Sequence, residues 1–510
     1  MIILDEEPSS KASRHAGPTL RFPERAAGRS TSALTLPDYE TSQALAHHDV
    51  YKNVVKTKAD TRFWRATLYA LLIYIALSLI IGIPIVVTKL KQRSYRKYGP
   101  PPSPAPPWQA GFEVSEPNCS LSLDDLLGTA RICNSWASGG KDSSGKFLAS
   151  SQYRISPYGE ISIRANVSVE SNGPPMVLGK LTVGMNPNKT ARDALLLLDM
   201  QASSSTLRKD TNVCFAMNDD ACDLALYVPG KLSGSDSLQF NITLLFPHTS
   251  RPSTVDRLST WLPGFTQSFD NMDKQLTFSK ATIEGPSSKV IVGYLQANNL
   301  LIQTSSAEIQ GNFQVNESLM LDTVDAPIEA TITLLNDWQT QAPTYLTLDT
   351  GNGDINAKIH LNAPRPLNRQ STFLTSMKTF NAQIKASITH DNSTPSAELQ
   401  LRTTNYLAET YVTLDSKYEG TFDLQTKLAK ASVKEGDGNK TVADPSGERR
   451  KRGYQFDHLS STQIFGWVGW GPRPGPTTKP NRQGHVEIVS SHSSVTLQLD
   501  GAGNKVSGQS

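Results

Sequence analysis

Two hydrophobic patterns divide this chain. From Ala66 to Val87 the sequence ATLYALLIYIALSLIIGIPIVV runs for 22 residues without a charge. At about 1.5 Å per helical residue, such a run covers the roughly 30 Å core of a bilayer. Phe63 and Trp64 stand at one edge and Tyr95 and Tyr98 beyond the other, as interfacial aromatics do, and Pro84 falls in the last turn. The pattern predicts one transmembrane helix over 66–87, with the lipid bilayer as its partner. From about Trp108 the pattern becomes short alternating segments, the period-2 signature of half-buried strands. Strands are predicted at Glu160–Arg164, Ala194–Met200, Asp223–Val228 and Leu238–Phe246, after one brief capped helix at Ser122–Leu127.

Within the strand-rich part the chain echoes itself. Thr304-Ser-Ser-Ala-Glu-Ile-Gln-Gly-Asn-Phe-Gln-Val315, Thr323-Val-Asp-Ala-Pro-Ile-Glu-Ala-Thr-Ile-Thr-Leu334 and Thr350-Gly-Asn-Gly-Asp-Ile-Asn-Ala-Lys-Ile-His-Leu361 share one pattern. Each has Thr, a small residue at +3, Ile at +5, Gly or Ala at +7 and large apolar residues at +9 and +11. Each follows an alternating strand (Leu300–Ile302, Leu319–Leu321, Leu346–Leu348), and a looser copy is read at Val412–Leu424. Short units that cannot bury an inner face alone must stack and share a core, with small residues where the backbone bends sharply. The fold expected is mainly β: a single transmembrane helix followed by a β-solenoid. The alternative is an antiparallel β-sandwich.

At these units the chain resembles adhesin-like β-solenoid domains, in which strand, Thr-x-x-Gly-x-Ile turn and strand recur. Thr350-Gly-Asn-Gly-Asp-Ile355 matches that turn, while the Ala307 and Ala326 turns depart from Gly. As a whole the chain is similar to uncharacterised fungal single-pass membrane proteins that carry such an ectodomain behind a Pro-rich stalk. The resemblance covers about residues 110–435 and implies a surface role without transferring a catalytic residue.

The organisation expected is a disordered cytosolic head (1–65), the helix (66–87), and a basic collar with a Pro-rich stalk (88–109). An adhesin-like ectodomain (110–433), a loop with a basic processing site (434–482) and a terminal strand pair with a frayed tail (483–510) follow. Six prolines within Gly99–Pro107 favour a polyproline II spacer. Lys and Arg flank the span equally, five on each side, so charge does not orient it. The first thirty residues lack an apolar run, so the span is read as a signal anchor. A head carrying ten Lys and Arg is expected to stay in the cytosol, with the tail lumenal or extracellular at the plasma membrane or in the secretory pathway.

That side suits the candidate modification sites. Sequons begin at Asn118, Asn166, Asn188, Asn241, Asn316, Asn392 and Asn439. Cys119, Cys133, Cys214 and Cys222 are an even set fitted to an oxidising compartment. Their spacing suggests a hairpin bridge Cys214–Cys222 and a staple Cys119–Cys133, one of three possible pairings. Arg449-Arg450-Lys451-Arg452 satisfies the kexin- and furin-type processing pattern in a Gly-rich, exposed loop. Phe465–Gly471 reads as an aromatic cap or, alternatively, a carbohydrate-stacking patch. In the head, Leu36, Pro37 and Tyr39 form a Leu-Pro-Asp-Tyr peptide of the kind WW domains dock. Tyr51–Val54 fits a tyrosine sorting pattern.

Composition removes other classes. A net charge of +3 with 19% charged residues leaves no basic face for nucleic acid. No Gly-x-Ser-x-Gly, His-Glu-x-x-His or P-loop occurs. Asp219, Asp220 and Asp223 are the one carboxylate cluster in the strand-rich part; it has no His company and reads as turn Asp. Asp349–Asp354 is similar to a calcium loop but lacks the terminal acidic ligand. No enzyme activity, cofactor or metal is expected. The reading is a type II membrane glycoprotein contacting a cell-wall glycan or surface protein. The alternative is a membrane-anchored carbohydrate-active enzyme on a β-helix.

Overall fold

The computed structural model describes residues 131–500 apart from 168–176, 219, 231, 273–274, 337–341, 364–370, 395–396, 436–443, 446 and 475–482. The head with its Leu36-Pro37-Asp-Tyr39 peptide, the 66–87 segment, the stalk and the 122–127 helix lie outside the described residues. Among the described residues no helix is long and apolar enough to cross a membrane. The one described helix, Ser205–Asp210, is capped by the Ser204 side chain.

The predicted alternation becomes two ladders of parallel strands. Along the first ladder the spatial order begins Ala221–Tyr227, Glu160–Ala165, Ser253–Trp261, Leu276–Glu284. It continues through the C-terminal halves of Val290–Gln303 and Ile309–Thr323 to Thr344–Thr350, Thr372–Lys378 and Glu398–Asn405. Gly484–Ser490 and Gly420–Thr426 end it. The second ladder runs Leu238–Phe246, Val177–Met185, Phe265–Asn271, then the N-terminal halves of the same two long strands. Ile328–Leu335, Ile355–Asn362, Ile384–His390, Thr410–Leu414, Val495–Leu499 and Ala431–Glu435 complete it. Consecutive units therefore pair in parallel, and the antiparallel sandwich does not describe this region.

Register shows why the echo exists. Ile309, Ile328, Ile355 and Ile384 lie side by side, as do Gly311, Ala330, Ala357 and Ala386, then Phe313, Ile332, Ile359 and Ile388. On the other ladder Leu300, Leu319 and Leu346 align, and Ile302, Leu321 and Leu348 with them. Each apolar position thus stacks on its own kind, about 4.8 Å per rung. These side chains are buried and belong to one continuous core. The next true copy is Thr379–His390, which follows with Ala382, Ile384, Ala386 and Ile388. The looser copy at Val412–Leu424 is out of phase: Val412 sits on the second ladder and Phe422 and Leu424 on the first.

The turn after each first-ladder strand is also stacked. Thr304, Thr323, Thr350, Thr379, Asn405, Ser490 and Thr426 are all buried at the strand ends. Their side chains satisfy carbonyls that the sharp turn strips of sheet partners. Thr350 Oγ1 donates to Ala326 O at 3.1 Å, Thr379 Oγ1 to Gly353 O at 3.2 Å and Asn405 Nδ2 to Ala382 O at 2.9 Å. Thr426 Oγ1 donates to Ser493 O at 3.2 Å. The small +3 residue is demanded by this closeness. A Cβ on Gly353 would lie 1.7 Å from Ala326 O.

Chain order departs from spatial order at both ends. Glu160–Ala165 and Val177–Met185 are flanked on one side by Ala221–Tyr227 and Leu238–Phe246, and on the other by Ser253–Trp261 and Phe265–Asn271. Likewise Gly484–Ser490 and Val495–Leu499, expected as a terminal pair before a frayed end, are inserted between two earlier rungs. Antiparallel strands then cover the ends. Asn212–Met217 and Arg131–Cys133 cover the first ladder, and Ala194–Ala202, Phe147–Ile155 and Ser138–Lys141 the second. At the far end the hairpin Arg452–Leu459/Gln463–Trp470 covers Gly420–Thr426. Such capping removes backbone edges that would otherwise recruit another chain, whereas Ala431–Glu435 at the far end of the second ladder pairs on one side only among the described residues.

Candidate functional site

The segment expected as a loop over 434–482 contains this capping hairpin. Trp467 and Trp470 are buried within it, and Trp470 Nε1 donates to Ser416 O at 2.9 Å. The Phe465–Gly471 run is therefore a cap and offers no open carbohydrate platform from its two tryptophans. The basic run is part of the same structure. Arg449 and Lys451 are exposed, but Arg452 is buried. Its guanidinium donates to the carbonyls of Ser416 and Tyr418 and lies 5.6 Å from the Trp470 ring centre. Burial pulls it down to about 10, against the opposing pull of Asp415 and Glu419. Arg450 is held by Asp444, with Nε 3.0 Å from Oδ2. The exposed-loop expectation is corrected at Arg452, which hydrogen-bonded burial withdraws from the surface.

The cysteines pair differently from the suggestion drawn from spacing. Cys133 and Cys214 lie directly opposite one another across an antiparallel pair and are bridged. In the predicted hairpin, Cys214 faces Ala225 while Cys222 faces Met217, so the two thiols are not in register for a bond. Cys222 is buried, and burial together with the neighbouring Asp223 pushes its thiol up to about 12. Such a thiol is unreactive at neutral pH. Cys119 lies outside the described residues.

Of the sequons, Asn118 and Asn439 lie outside the described residues. Asn166, Asn188, Asn241 and Asn392 are exposed. Asn166 Oδ1 accepts from Val228 N at 2.7 Å, and Asn188 Oδ1 closes its own turn with Thr190. Asn316 is half-buried and donates to Asn298 Oδ1 at 2.9 Å at the bend between the two halves of a long strand.

The carboxylate candidates are occupied by structural partners. Asp223 is paired with Arg164 at 2.8 Å, and Asp220 is an exposed turn residue whose carbonyl accepts from Glu160 N. Asp219 lies outside the described residues. In the Asp349–Asp354 turn, Asn352 donates to Asp325, Asp354 accepts from Gln383 N, and Asp349 faces Lys378 at 3.4 Å. Among the described residues no group of three His, Cys, Asp or Glu is placed to hold a metal.

What the stacking does build is an exposed apolar stripe along the turns. Val324, Phe380 and Tyr406 directly follow the buried Thr323, Thr379 and Asn405, and Leu407 and Leu428 stand two residues after Asn405 and Thr426. Val324 is 52% exposed, Phe380 52% and Leu428 73%, with Gly351 and Ser491 at the intervening rungs. Backbone bonds clamp the row. Phe380 N donates to Gly351 O, Tyr406 N and Leu407 N to Phe380 O, and His492 N to Tyr406 O. The Phe380 and Tyr406 rings stack at 4.9 Å and 7°, and His492 meets Tyr406 edge-on at 5.2 Å. One face of Phe380 is therefore turned onto Tyr406, and Tyr406 lies between Phe380 and His492. Sequence reading missed this stripe because Phe380, Tyr406 and Leu428 share no spacing along the chain. Only their nearness to a buried Thr or Asn marks them, one residue on for Phe380 and Tyr406 and two for Leu428.

No family model matches the chain, and no curated protein matches it. Solved structures similar to it include a proposed cell adhesion protein from Clostridium sporogenes, 7% identical, covering 69% of this chain and 99% of that one at a TM-score of 0.15. A proposed adhesin from Bacteroides fragilis is 11% identical over 69% and 96%, at 0.23. Another from Parabacteroides merdae is 7% identical over 69% and 95%, at 0.21. At such scores these likenesses carry no functional argument, which rests on the chain's own geometry.

Proposed function

We propose that this chain is a non-catalytic, membrane-anchored surface protein whose stacked strands form an adhesin-like β-solenoid acting by contact. The observation that carries the reading is the backbone-clamped stripe at Val324, Phe380, Tyr406 and Leu428. Contiguous exposed apolar side chains on a rigid support mark interaction surfaces. Because Phe380 and Tyr406 turn faces toward each other and Val324 and Leu428 are aliphatic, the stripe suits the apolar surface of another protein better than the face of a sugar ring. The anchor at 66–87 and the lumenal or extracellular side follow from the sequence argument. The enzyme alternative draws no support from Asp223, which is taken by Arg164; losing turnover of a polysaccharide on Asp220→Asn and Asp223→Asn would revive it.

The test is surface display of the full chain with a tag at each end. The C-terminal tag should be reached on intact cells, the N-terminal tag only after permeabilisation, and the chain should shift on endoglycosidase treatment. Cells displaying it should adhere to protein-coated surfaces, and Phe380→Ser, Tyr406→Ser and Leu428→Ser together should reduce adhesion severalfold. Unchanged adhesion of that variant, or a reversed tag pattern, defeats the proposal.

A further inference from the structure

At the N-terminal cap the hairpin Ser138–Lys141/Phe147–Ile155 and the helix Ser205–Asp210 border a cleft of about 520 Å³. Trp136, Gly139, Gly140, Lys141, Phe147 and Arg208 line it. Its walls are aromatic and cationic. Lys141 Nζ lies 4.5 Å from the Phe147 ring centre, a distance at which the ring face holds an ammonium without neutralising it. The Arg208 guanidinium lies along the strand at Gly139, where a Cβ would come within 2.9 Å of Nη2. Among the described residues neither cation has a carboxylate within ion-pair distance. Asp142, next to Lys141, is engaged by other donors. Its carboxylate accepts from the Ser144 hydroxyl, from Ser144 N and Lys146 N, and from Gln201 Nε2. Gly140 faces open space, with nothing within 4 Å of the position a Cβ would take.

We propose that this cleft binds a carboxylated sugar, a uronate unit of an acidic polysaccharide. A planar guanidinium beside an ammonium matches a carboxylate, and with the Phe147 face taken by Lys141, the Trp136 indole is left to accept the apolar C–H face of a pyranose. The cleft is shallow and open to solvent, a form that admits one unit of a long polymer without enclosing it. A nucleic-acid strand would need a basic track spanning several phosphates, and the chain's net charge of +3 provides none. The inference deepens the surface-contact reading by naming a ligand class, and rests on it only for the side of the membrane on which the cleft is displayed.

Titrating the full chain with tetragalacturonate and with its methyl ester by calorimetry tests it. The acid should bind, and the uncharged ester should bind at least tenfold more weakly. Arg208→Gln and Lys141→Gln should each cost at least tenfold while the thermal midpoint stays unchanged. No binding of the acid by the parent, equal binding of acid and ester, or full affinity in Lys141→Gln and Arg208→Gln overturns the proposal. If the parent binds the acid but both variants bind it as well, the cleft falls while glycan contact stands. If the parent binds neither, the adhesion of the stripe variant still decides the broader reading.

Discussion

His390 Nδ1 lies 2.8 Å from Asp415 Oδ1, and the backbone N–H of the same histidine donates to Asp415 Oδ2 at 2.6 Å. The imidazole is almost fully buried, 1% exposed, in the row where Val315, Leu334 and Leu361 stack. A polar ring in an apolar row requires a partner, and Asp415 supplies it from the turn after Thr410–Leu414. Burial pushes the Asp415 carboxyl up, but the His390 side-chain hydrogen bond and charge, with backbone donors from His390 and Lys417, bring it below its ordinary 3.8. A carboxylate with a depressed folded value contributes stability above its unfolded value and loses it as pH falls through the folded one. Asp415→Asn should therefore cost about 1.5–3 kcal/mol at pH 7. The deficit should shrink below pH 3.8, read as thermal midpoints across pH 2–7. An equal midpoint at pH 7 would show that the pair contributes nothing.

Asp322 should behave with the opposite sign. Burial, and then the Asp349 carboxylate beside it, pushes it from 3.8 up to about 6, against Gln303 and Lys378. The folded chain holds this proton more tightly than the unfolded one, so stability declines as pH rises through that window and stays lowered above it. The group is partly solvated, so screening trims the effect to about 1 kcal/mol. Asp322→Asn should raise the denaturant midpoint at pH 8 and leave it unchanged at pH 4. A uniform effect at both values rules out titration as its cause.

Thr350 closes two bonds at once, donating to Ala326 O at 3.1 Å and accepting from Gly353 N at 3.0 Å. Thr350→Val keeps the shape and should cost about 1–3 kcal/mol, because it leaves a buried N–H unsatisfied. Thr323 makes one long contact at 3.5 Å to Ala307 O, and Thr323→Val should cost clearly less. Equal losses in chemical denaturation would mean that the turn bonds are not what holds the rungs in register.

Cleavage after Arg452 requires the capping hairpin to open. Arg452 begins the strand Arg452–Leu459, faces Trp470 and is buried. A furin-type protease should leave the native chain intact at this bond and cut it promptly after thermal unfolding, as followed by gel mobility. Rapid native cleavage would mean that the hairpin opens readily in solution.

Much of the fold was legible because it is periodic. The unit beginning at Thr304, Thr323 and Thr350 repeats in composition since each position meets the same position one rung away, and the structure places those residues in register. The copy at Thr379 escaped notice because its +11 residue is His390 instead of an aliphatic, a substitution compensated only by the distant Asp415. The carbonyl-rich turns explain the buried threonines, but nothing local announces that Val324, Phe380, Tyr406 and Leu428 come to lie along one row of turns.

The sequence by itself determined the strand periodicity, the stacked unit and the apolar segment at 66–87, since these depend on neighbours a few residues apart or on a repeated pattern. Tertiary structure alone decided that Cys133 meets Cys214 across 81 residues, that Arg452 is buried, and that Gly484–Ser490 slips between two earlier rungs. Each of these joins segments remote along the chain, and spacing cannot say which distant edge a strand will find. Sheet hydrogen bonding and the need to cap an open ladder make that choice.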